Sequence, residues 1–335
     1  MTVIVTGGAG FIGSNLIRGL NMQGVTDILV VDNLGSSLKF KNLIGCEFRE
    51  YLQKDRFREL ICERRLDSQV SAIFHQGACS NTMELDGNYM IDNNYQYSVE
   101  LLDFATEKEI PFIYASSAAV YGANTQFKED RVNESPLNVY GYSKLIFDEL
   151  VRRRLDSAKS QIVGLRYFNV YGPREGHKGQ MASVSYHLSN QMFKGGALKL
   201  FEGSGEYAAG EQRRDFIYVD DVVKLNLEFL DNPERSGIYN CGTGQSQTFN
   251  EVAVATINSV RKQHGNQALT LDRMLSEEII TYRSFPEGLE SRYQSFTEAD
   301  MGLLKAAGSK VQFRDVDAGV KAYVDFLFQT NTFNS

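Results

Sequence analysis

The chain contains 335 residues, of which 42% are hydrophobic and 23% charged, and its formal net charge is -7. The composition is that of a folded protein, and the length exceeds what one hydrophobic core usually supports, so we expect a large domain with a smaller lobe. The acidic net charge excludes a general attraction to nucleic acid. The cysteines lack metal-ligand spacing, so no bound metal is expected. The sequence shows no leader and no apolar span, which predicts a cytoplasmic protein without a membrane partner.

Short apolar runs alternate with helix-like stretches through the first half of the chain. Strands are predicted at residues 2–6, 28–31, 72–75, 112–114 and 162–165. Helices are predicted at residues 12–23, 57–65, 94–108 and 142–154. This alternation indicates an α/β fold with a Rossmann-type doubly wound parallel sheet.

The pattern becomes irregular after about residue 170, where loops rich in Gly, Ser and charge appear. We therefore expect residues 1–170 to form the nucleotide-binding domain and residues 171–335 to form mainly a smaller α/β substrate lobe. Strand-like runs at 216–219 and 237–240 are candidates to return to the first domain, which would then receive segments near 215–245.

Three glycines, Gly7, Gly10 and Gly13, stand between the first predicted strand and the first predicted helix. This spacing permits a tight turn, a close approach of backbone to a pyrophosphate, and close packing of helix on strand. Asp32 closes the second predicted strand about 20 residues later, where an acidic residue binds a ribose hydroxyl. The pattern predicts a dinucleotide site rather than a merely structural turn.

The identity of the dinucleotide is open at the level of local chemistry. Asp32 alone favours NAD, because a carboxylate accepts hydrogen bonds from ribose hydroxyls. Lys39 and Lys54 are the nearest downstream cations for the 2′-phosphate of NADP, although the sequence alone slightly favours solvated surface lysines.

Tyr140 and Lys144 are spaced one helical turn apart, so both lie on one face of the predicted helix. A tyrosine has an ordinary pKa near 10, and a neighbouring ammonium favours the phenolate that a general base requires. Ser116 and Ser117 end the preceding strand and are candidates to donate a hydrogen bond to the substrate oxygen. Tyr142 is the competing tyrosine, but in a helix it faces away from Lys144.

With these residues in place, the chain resembles the extended short-chain dehydrogenase/reductase family over essentially its whole length. The resemblance is carried by Gly77-Ala-Cys-Ser80, by the Asp92–Ser98 and Ser116–Gly122 runs, and by the Arg166–Gly179 run. Within the family, the run Glu175-Gly-His-Lys-Gly179 is similar to that of the enzymes that epimerise nucleotide-linked heptoses.

This resemblance implies an isomerase that converts ADP-D-glycero-D-manno-heptose to its L-glycero epimer through a transient 6″-ketone, for lipopolysaccharide synthesis. It implies bound NADP, with NAD as the alternative, and a homo-oligomer, with a pentamer among the expected forms. The catalytic serine is then Ser117, Tyr140 and Lys144 take the base and cofactor-holding roles, and Lys178 matches a second acid/base position.

The same resemblance assigns binding residues and marks departures from the family. Cofactor contacts are implied for Gly7, Gly10, Phe11, Ile12, Gly13, Asp32, Asn33, Lys39, Lys54, Gln76, Gly77, Ala78, Cys79, Ser80, Asn93, Tyr140, Lys144, Val170 and Lys178. Substrate contacts are implied for Ser117, Asn169, Gln180, His187, Phe201, Glu202, Gly203, Ser204, Arg214 and Tyr293. Gln180 stands where a serine is usual, Gln76 where a glutamate is usual, and residues 205–212 resemble an insertion that leaves Arg213 and Arg214 as alternatives for the diphosphate.

Two alternatives remain at this level. One is another nucleotide-sugar enzyme of the family, a 4-epimerase or a 4,6-dehydratase, although Ala118-Ala119 stands where dehydratases carry an acidic pair. The other, from a different class, is a non-catalytic scaffold that binds NADP, which the presence of the serine, tyrosine and lysine disfavours.

Overall fold

The computed structural model describes residues 1–66, 69–286 and 294–330. The strands are β1 (Thr2–Thr6), β2 (Ile28–Asp32), β3 (Glu50–Gln53), β4 (Val70–His75), β5 (Phe112–Ser117), β6 (Ile162–Tyr167), β7 (Asn169–Tyr171), β8 (Leu198–Phe201), β9 (Arg213–Tyr218), β10 (Gly237–Cys241), β11 (Ser246–Thr248) and β12 (Ile280–Arg283). The helices are α1 (Phe11–Met22), α2 (Lys54–Cys62), α3 (Gly87–Met90), α4 (Tyr97–Glu107), α5 (Val139–Leu155), α6 (Val184–Phe193), α7 (Val219–Leu230), α8 (Phe249–Gln263), α9 (Leu271–Ser276), α10 (Gly302–Ala306) and α11 (Val316–Thr330).

Seven strands form one parallel sheet in the order β10-β6-β5-β4-β1-β2-β3. This arrangement confirms the predicted α/β class and the doubly wound parallel sheet. The chain moves outward in one direction from β1 through β2 and β3, and then in the other direction from β4. In open α/β sheets, ligands bind beyond the carboxyl ends of the strands at such a reversal.

The first compact unit comprises residues 1–167, 222–241 and 300–311 and contains this sheet. The residues of β1, β2 and β6 are buried throughout, which explains their continuous apolar character. On one face, Phe57 of α2, Leu101 of α4 and Phe147 of α5 share a core with strand residues. Elsewhere in this unit, α1 packs closely on α7, because a Cβ on Gly19 would lie 2.5 Å from Val223 Cγ1.

The second compact unit comprises the described residues of 168–221, 242–299 and 312–335. It contains a three-stranded sheet in the order β11-β9-β7 and a two-stranded sheet of β8 and β12. Its core includes Leu188 of α6, Ile257 of α8, Val320 of α11 and Phe216 of β9. Of the two late strand-like runs, β10 therefore joins the large sheet, whereas β9 pairs with β7 and β11 and packs into the second core.

No helix among residues 1–66, 69–286 and 294–330 is long and apolar enough to span a membrane.

Candidate active site

The glycine-rich turn joins β1 to α1 beside the chain reversal of the large sheet. Gly7 has a φ of +65°, and a Cβ there would lie 2.6 Å from Gly77 N. A Cβ on Gly13 would lie 2.2 Å from Gly7 O, so the turn and the helix are in backbone contact. Gly10 precedes the helix and donates its N–H to Gly7 O at 2.9 Å. Gly7 and Gly13 therefore require glycine for the turn and for helix packing, while the approach of a pyrophosphate at Gly10 stays a prediction.

The start of α1 forms one side of a cradle suited to a pyrophosphate. Phe11 and Ile12 occupy its first turn, and a helix start lacks intrahelical acceptors for its first N–H groups. These donors and the positive end of the helix dipole favour an anionic ligand. A side chain on Gly7 or Gly13 would clash with backbone here, so the chain fits a dinucleotide.

Asp32 is buried at the end of β2, and its carboxylate already has partners. Oδ2 accepts the backbone N–H of Ala9 at 2.8 Å, and Oδ1 accepts that of Asn33 at 2.6 Å. Lys39 Nζ donates to Oδ1 at 2.5 Å. The structure thus brings Asp32, Asn33 and Lys39 together at the point where the fold places the adenosine ribose of a dinucleotide.

A network of polar side chains connects Lys54, the second candidate cation for the cofactor, to Cys79 in the loop after β4. Lys54 Nζ donates to Asn93 Oδ1 at 2.9 Å, and Asn93 Nδ2 donates to Asn94 Oδ1 at 2.9 Å. Asn94 also exchanges hydrogen bonds with the backbone of Cys79 and donates to Ser143 Oγ at 3.2 Å. Asn93 and Asn94 lie in a π-helical turn over Ile91–Gln96, a local irregularity that is frequent at functional sites.

His75, at the end of β4, connects this region to the glycine turn. Ser98 Oγ donates to Asn94 O, so His75 Nε2 must donate to Ser98 Oγ at 2.8 Å. His75 Nδ1 then accepts from Thr6 Oγ1 at 2.6 Å, and Thr6 Oγ1 accepts the N–H of Gly77 at 3.2 Å. Burial lowers the pKa of His75 well below its ordinary value, in agreement with this neutral ring.

The segment 76–80 follows β4 directly. Gln76 Oε1 accepts the hydroxyl of Tyr167 at 2.9 Å, and Asn226 Nδ2 donates to the same hydroxyl at 3.0 Å. Gln76 is therefore part of a neutral hydrogen-bonded group. Gly77, Ala78, Cys79 and Ser80 continue as loop beside the glycine turn.

The two serines at the end of β5 have different partners. Ser116 Oγ donates to Asp148 Oδ2 at 2.9 Å and is buried. Ser117 Oγ accepts the N–H of Ala119 at 3.1 Å, and its hydroxyl acts on Tyr140, whose pKa it lowers against the effect of burial. Successive side chains of a strand point to opposite faces, so only one of the two can face Tyr140. The geometry separates Ser117 from Ser116, which the spacing alone did not.

The protonation of Tyr140 and Lys144 depends on burial. Burial raises the pKa of Tyr140, and the hydrogen bond with Ser117 opposes part of that rise. Burial lowers the pKa of Lys144 to about 8, while the charge of Asp148 raises it. Lys144 Nζ donates to Ala115 O at 2.8 Å. Ser117 thus favours ionisation of Tyr140, and a role for Lys144 in the same ionisation stays a prediction.

Asp148 was missed by the sequence analysis, although it follows Lys144 by one helical turn. Its carboxylate accepts from Tyr114, Ser116 and Arg166 at 2.8 to 2.9 Å, and all three donors are buried. The i, i+4 spacing to a candidate catalytic lysine was the available signal. Its burial could not be read from that spacing.

Lys178 lies in the second unit, in a 3-10 segment over Gly176–Met181. Its N–H donates to Glu175 O at 2.9 Å, and burial lowers the pKa of its amine while the charge of Glu175 raises it. His187, on α6, has its Nε2 3.4 Å from the carbonyl oxygen of Gln180. The structure thus groups Lys178, Gln180 and His187 on one loop and the helix that follows it.

The remaining candidate substrate residues that the structure describes lie on β7, at the end of β8 and in the loop that follows it, and on β9. Asn169 begins β7, next to Val170, and its Oδ1 accepts from Thr297 at 3.2 Å. The segment 205–212 folds back on the Phe201–Ser204 run, since Gln212 Nε2 donates to Glu202 O at 2.7 Å. Tyr293 lies outside the described residues.

Arg213 and Arg214 differ in their surroundings because adjacent residues of β9 face opposite sides. Arg213 Nη2 donates to the carbonyl oxygen of Ser246 at 2.6 Å, and its Nε donates to the hydroxyl of the same residue. The guanidinium of Arg214 lies 5.9 Å from the ring centre of Phe249. Arg213 thus stabilises β11, and Arg214 Nη1 donates to the carbonyl oxygen of Arg213 at 3.1 Å, so both guanidinium groups have partners within the protein.

Comparison with known proteins is consistent with this geometry. A model of the NAD dependent epimerase/dehydratase family matches residues 3–242. The chain is 54% identical over 327 residues to an ADP-L-glycero-D-manno-heptose-6-epimerase from Thiobacillus denitrificans, with 98% of each chain covered. The crystal structure of the Helicobacter pylori ADP-L-glycero-D-manno-heptose-6-epimerase is similar with a TM-score of 0.80 and 33% identity, covering 98% of this chain and 96% of that one. A Thermus thermophilus UDP-glucose 4-epimerase in complex with NAD is similar with a TM-score of 0.74 and 25% identity, over 97% and 98% of the two chains.

Proposed function

The chain belongs to the NAD dependent epimerase/dehydratase family, and on that basis we propose that it epimerises ADP-D-glycero-D-manno-heptose at C6″ to the L-glycero form. The observation that carries the proposed chemistry is the placement of Tyr140 and Lys144 one helical turn apart on α5, with the ammonium of Lys144 donating at 2.8 Å to Ala115 O, two residues before Ser117 on β5. The 54% identity to a heptose epimerase supports the substrate.

The proposed cofactor is NADP. The glycine turn and the start of α1 would hold its pyrophosphate, and Asp32 with Lys39 would meet the adenosine ribose and its 2′-phosphate. Lys54 and Asn93 would extend the polar side of this site. When bound, the nicotinamide supplies reversible hydride acceptance, so an epimerisation through a transient 6″-ketone has no net redox change.

The protein groups provide the proton transfers and the orientation. Tyr140 exchanges the proton of the C6″ hydroxyl, and Ser117 donates a hydrogen bond to the same oxygen, where negative charge develops. Lys144 orients Tyr140 and the nicotinamide ribose. Lys178 exchanges the proton when hydride returns to the opposite face of the ketone. A second acid/base group is useful because the ketone oxygen need not then occupy the position that the C6″ hydroxyl oxygen had.

The substrate residues are proposed on the second unit. Arg214 binds the diphosphate, since a guanidinium suits phosphate oxygens and the resemblance to the family implies this position. Asn169, His187 and the Phe201–Ser204 run contact the remainder of the nucleotide sugar, together with Gln180 and Tyr293. The proposed role is supply of the heptose for the inner core of lipopolysaccharide, by a cytoplasmic homo-oligomer.

A second candidate is UDP-hexose 4-epimerisation, which the similarity to the Thermus enzyme favours. The experiment that separates the two supplies purified protein with each ADP-heptose epimer and, in parallel, with UDP-glucose and UDP-galactose. We expect both heptose epimers to be converted to one equilibrium mixture, which proton NMR can monitor. Tyr140→Phe serves as the inactive control. Turnover of the UDP-hexoses alone would replace the proposed substrate, and no turnover of any of them would favour the scaffold alternative.

A further inference from the structure

The carboxylate of Glu175 is fully buried in the second unit, three residues before Lys178. Its Oε1 accepts the N–H of Gly172 at 3.1 Å and the hydroxyl of Ser183 at 2.7 Å. Its Oε2 accepts the N–H of Ser183 at 2.5 Å. Burial, together with the charge of Glu175, holds the pKa of Tyr323 on α11 above its ordinary value. The buried carboxylate thus accepts hydrogen bonds from Gly172 and from Ser183.

These hydrogen bonds join the two ends of the segment 172–183, which carries Lys178. The backbone between them is irregular: Arg174 has a φ of +74° and Gly179 a φ of +55°. A non-glycine residue in this region is disfavoured and persists where surrounding contacts enforce it. The carboxylate of Glu175 supplies such contacts, because it accepts hydrogen bonds from Gly172 before this irregular backbone and from Ser183 after it.

Glu175 also connects this segment to α6, which carries His187. Ser183 is the N-cap of α6, and its Oγ accepts the N–H of Tyr186 at 3.1 Å while donating to Glu175. The carboxylate therefore fixes the loop of Lys178 relative to the helix that follows it. Both carboxylate oxygens accept hydrogen bonds here, and a neutral amide, which has one acceptor oxygen, cannot reproduce this closure.

The charge has an effect that a neutral side chain would lack. Burial lowers the pKa of the Lys178 amine, and the negative charge of Glu175 opposes this effect by favouring the ammonium. An acid that protonates a ketone face must carry its proton at neutral pH. Glu175 thus acts on Lys178 in two ways, by closing the loop that carries it and by favouring its ammonium form.

We propose that Glu175 is the positioning residue for Lys178: its carboxylate fastens both ends of the loop and provides the counter-charge for the lysine amine. This inference rests on the proposed role of Lys178 as the second acid/base. It assigns a function to a buried acid that makes no contact with the reacting atoms in the mechanism above.

The test measures the pKa of Lys178 directly, without reference to turnover. Wild type, Glu175→Gln and Ser183→Ala are acetylated with trace acetic anhydride between pH 7 and 11, and the modified peptide of Lys178 is quantified by mass spectrometry. Glu175→Gln keeps the size of the side chain and removes its charge, so the pKa of Lys178 is expected to fall by about one unit or more. The alkaline limb of the pH profile for epimerisation is expected to move to lower pH by the same shift, with cofactor content unchanged.

Ser183→Ala is the matched structural control. It removes a hydrogen bond to the same carboxylate and the N-cap of α6, so its melting temperature should fall, while the pKa of Lys178 should stay near the wild-type value. If Glu175→Gln does not fold, Glu175→Asp withdraws the carboxylate by one methylene and should lower the pKa of Lys178 in the same direction by less.

An unchanged or raised pKa of Lys178 in the folded Glu175 variant overturns the inference, even when activity is lost. Near-wild-type turnover of Lys178→Met would remove the proposed acid/base role of the lysine, while the labelling result would still report whether Glu175 is its counter-charge. The two failures are therefore distinguishable.

Discussion

The ammonium of Lys39 lies 2.5 Å from Oδ1 of Asp32, at the end of the second strand of the large sheet. An acid in this position favours NAD when it stands alone, because it would repel a ribose 2′-phosphate. A cation in contact with it neutralises that repulsion and can itself pair with the phosphate. The pair gives a physical basis for accommodating NADP.

Lys39→Ala is therefore expected to weaken NADP binding by about 10- to 100-fold, the size of one charge-assisted hydrogen bond, and to leave NAD affinity nearly unchanged. Titration of the cofactor-free protein with NADPH and NADH, followed by fluorescence, measures both affinities. Lys41→Ala removes an exposed lysine of the same 3-10 segment and serves as the control. An equal loss of affinity for NADPH and NADH in Lys39→Ala would exclude a specific contact with the 2′-phosphate. Separately, release of NAD alone from denatured wild-type protein would exclude NADP as the resident cofactor.

Tyr140→Phe should reduce epimerisation by about 10²–10⁴-fold, because it removes a positioned acid/base group. Cofactor content should be unchanged, since the ring and its packing remain. Tyr142→Phe is the matched control: it removes a hydroxyl from an exposed position of the same helix and should leave turnover intact. The opposite pattern would transfer the role from Tyr140 to Tyr142.

Lys178→Met should abolish net epimerisation to an extent comparable with Tyr140→Phe, with cofactor and fold retained. If the two groups serve opposite faces of the ketone, each variant should complete a half-reaction with the matching C6″ epimer. Nicotinamide reduction on addition of each epimer, or dismutation of a 6″-aldehyde analogue, measures this directly. Turnover of Lys178→Met within about threefold of wild type would instead support a single-base mechanism through Tyr140.

Lys144→Met should raise the free energy of unfolding of the cofactor-free protein at pH 7 while abolishing turnover. The ammonium of Lys144 is buried, and its pKa is lowered to about 8, so the unfolded state binds more protons between that value and the ordinary value of a lysine. Wild-type stability therefore rises as the pH increases through this window, and the stability gain of the variant shrinks. We expect a gain on the order of 1–3 kcal/mol at pH 7, reduced by the lost hydrogen bond to Ala115.

Urea denaturation at pH 7 and pH 9.5 provides this measurement. Lys159→Met is the control, because the side chain of Lys159 is 78% exposed and its replacement should change stability little at either pH. A gain for Lys144→Met that is independent of pH would show that its buried charge is not the cause.

Arg166→Met should destabilise the protein by about 3–5 kcal/mol, because it leaves the buried carboxylates of Asp148 and Glu134 without this guanidinium. Arg154→Met breaks an ion pair with the exposed Asp103 and should cost less than about 1 kcal/mol. Thermal and urea unfolding of both variants provide the comparison. A similar small loss of stability for the two variants would mean that the ion pairs of Arg166 with Asp148 and Glu134 contribute little to stability.

The sequence predicted the features that depend on local geometry. The glycine spacing of the first turn, the acid at the end of β2 and the single helical turn between Tyr140 and Lys144 follow from strand, turn and helix periods, which are properties of neighbouring residues. The parallel sheet followed in the same way from buried strands that alternate with helices.

Tertiary structure alone decided the partners of these side chains. Ser116 and Ser117 have identical chemistry, and only the packing of β5 against α5 directs one to Asp148 and the other to Tyr140. The pKa of Lys144 depends on how much water the fold removes from its ammonium, and the interactions of Glu175 with Lys178 depend on a loop closed by Ser183. Desolvation and long-range pairing are properties of the folded environment, so residue types and spacings in the sequence do not specify them.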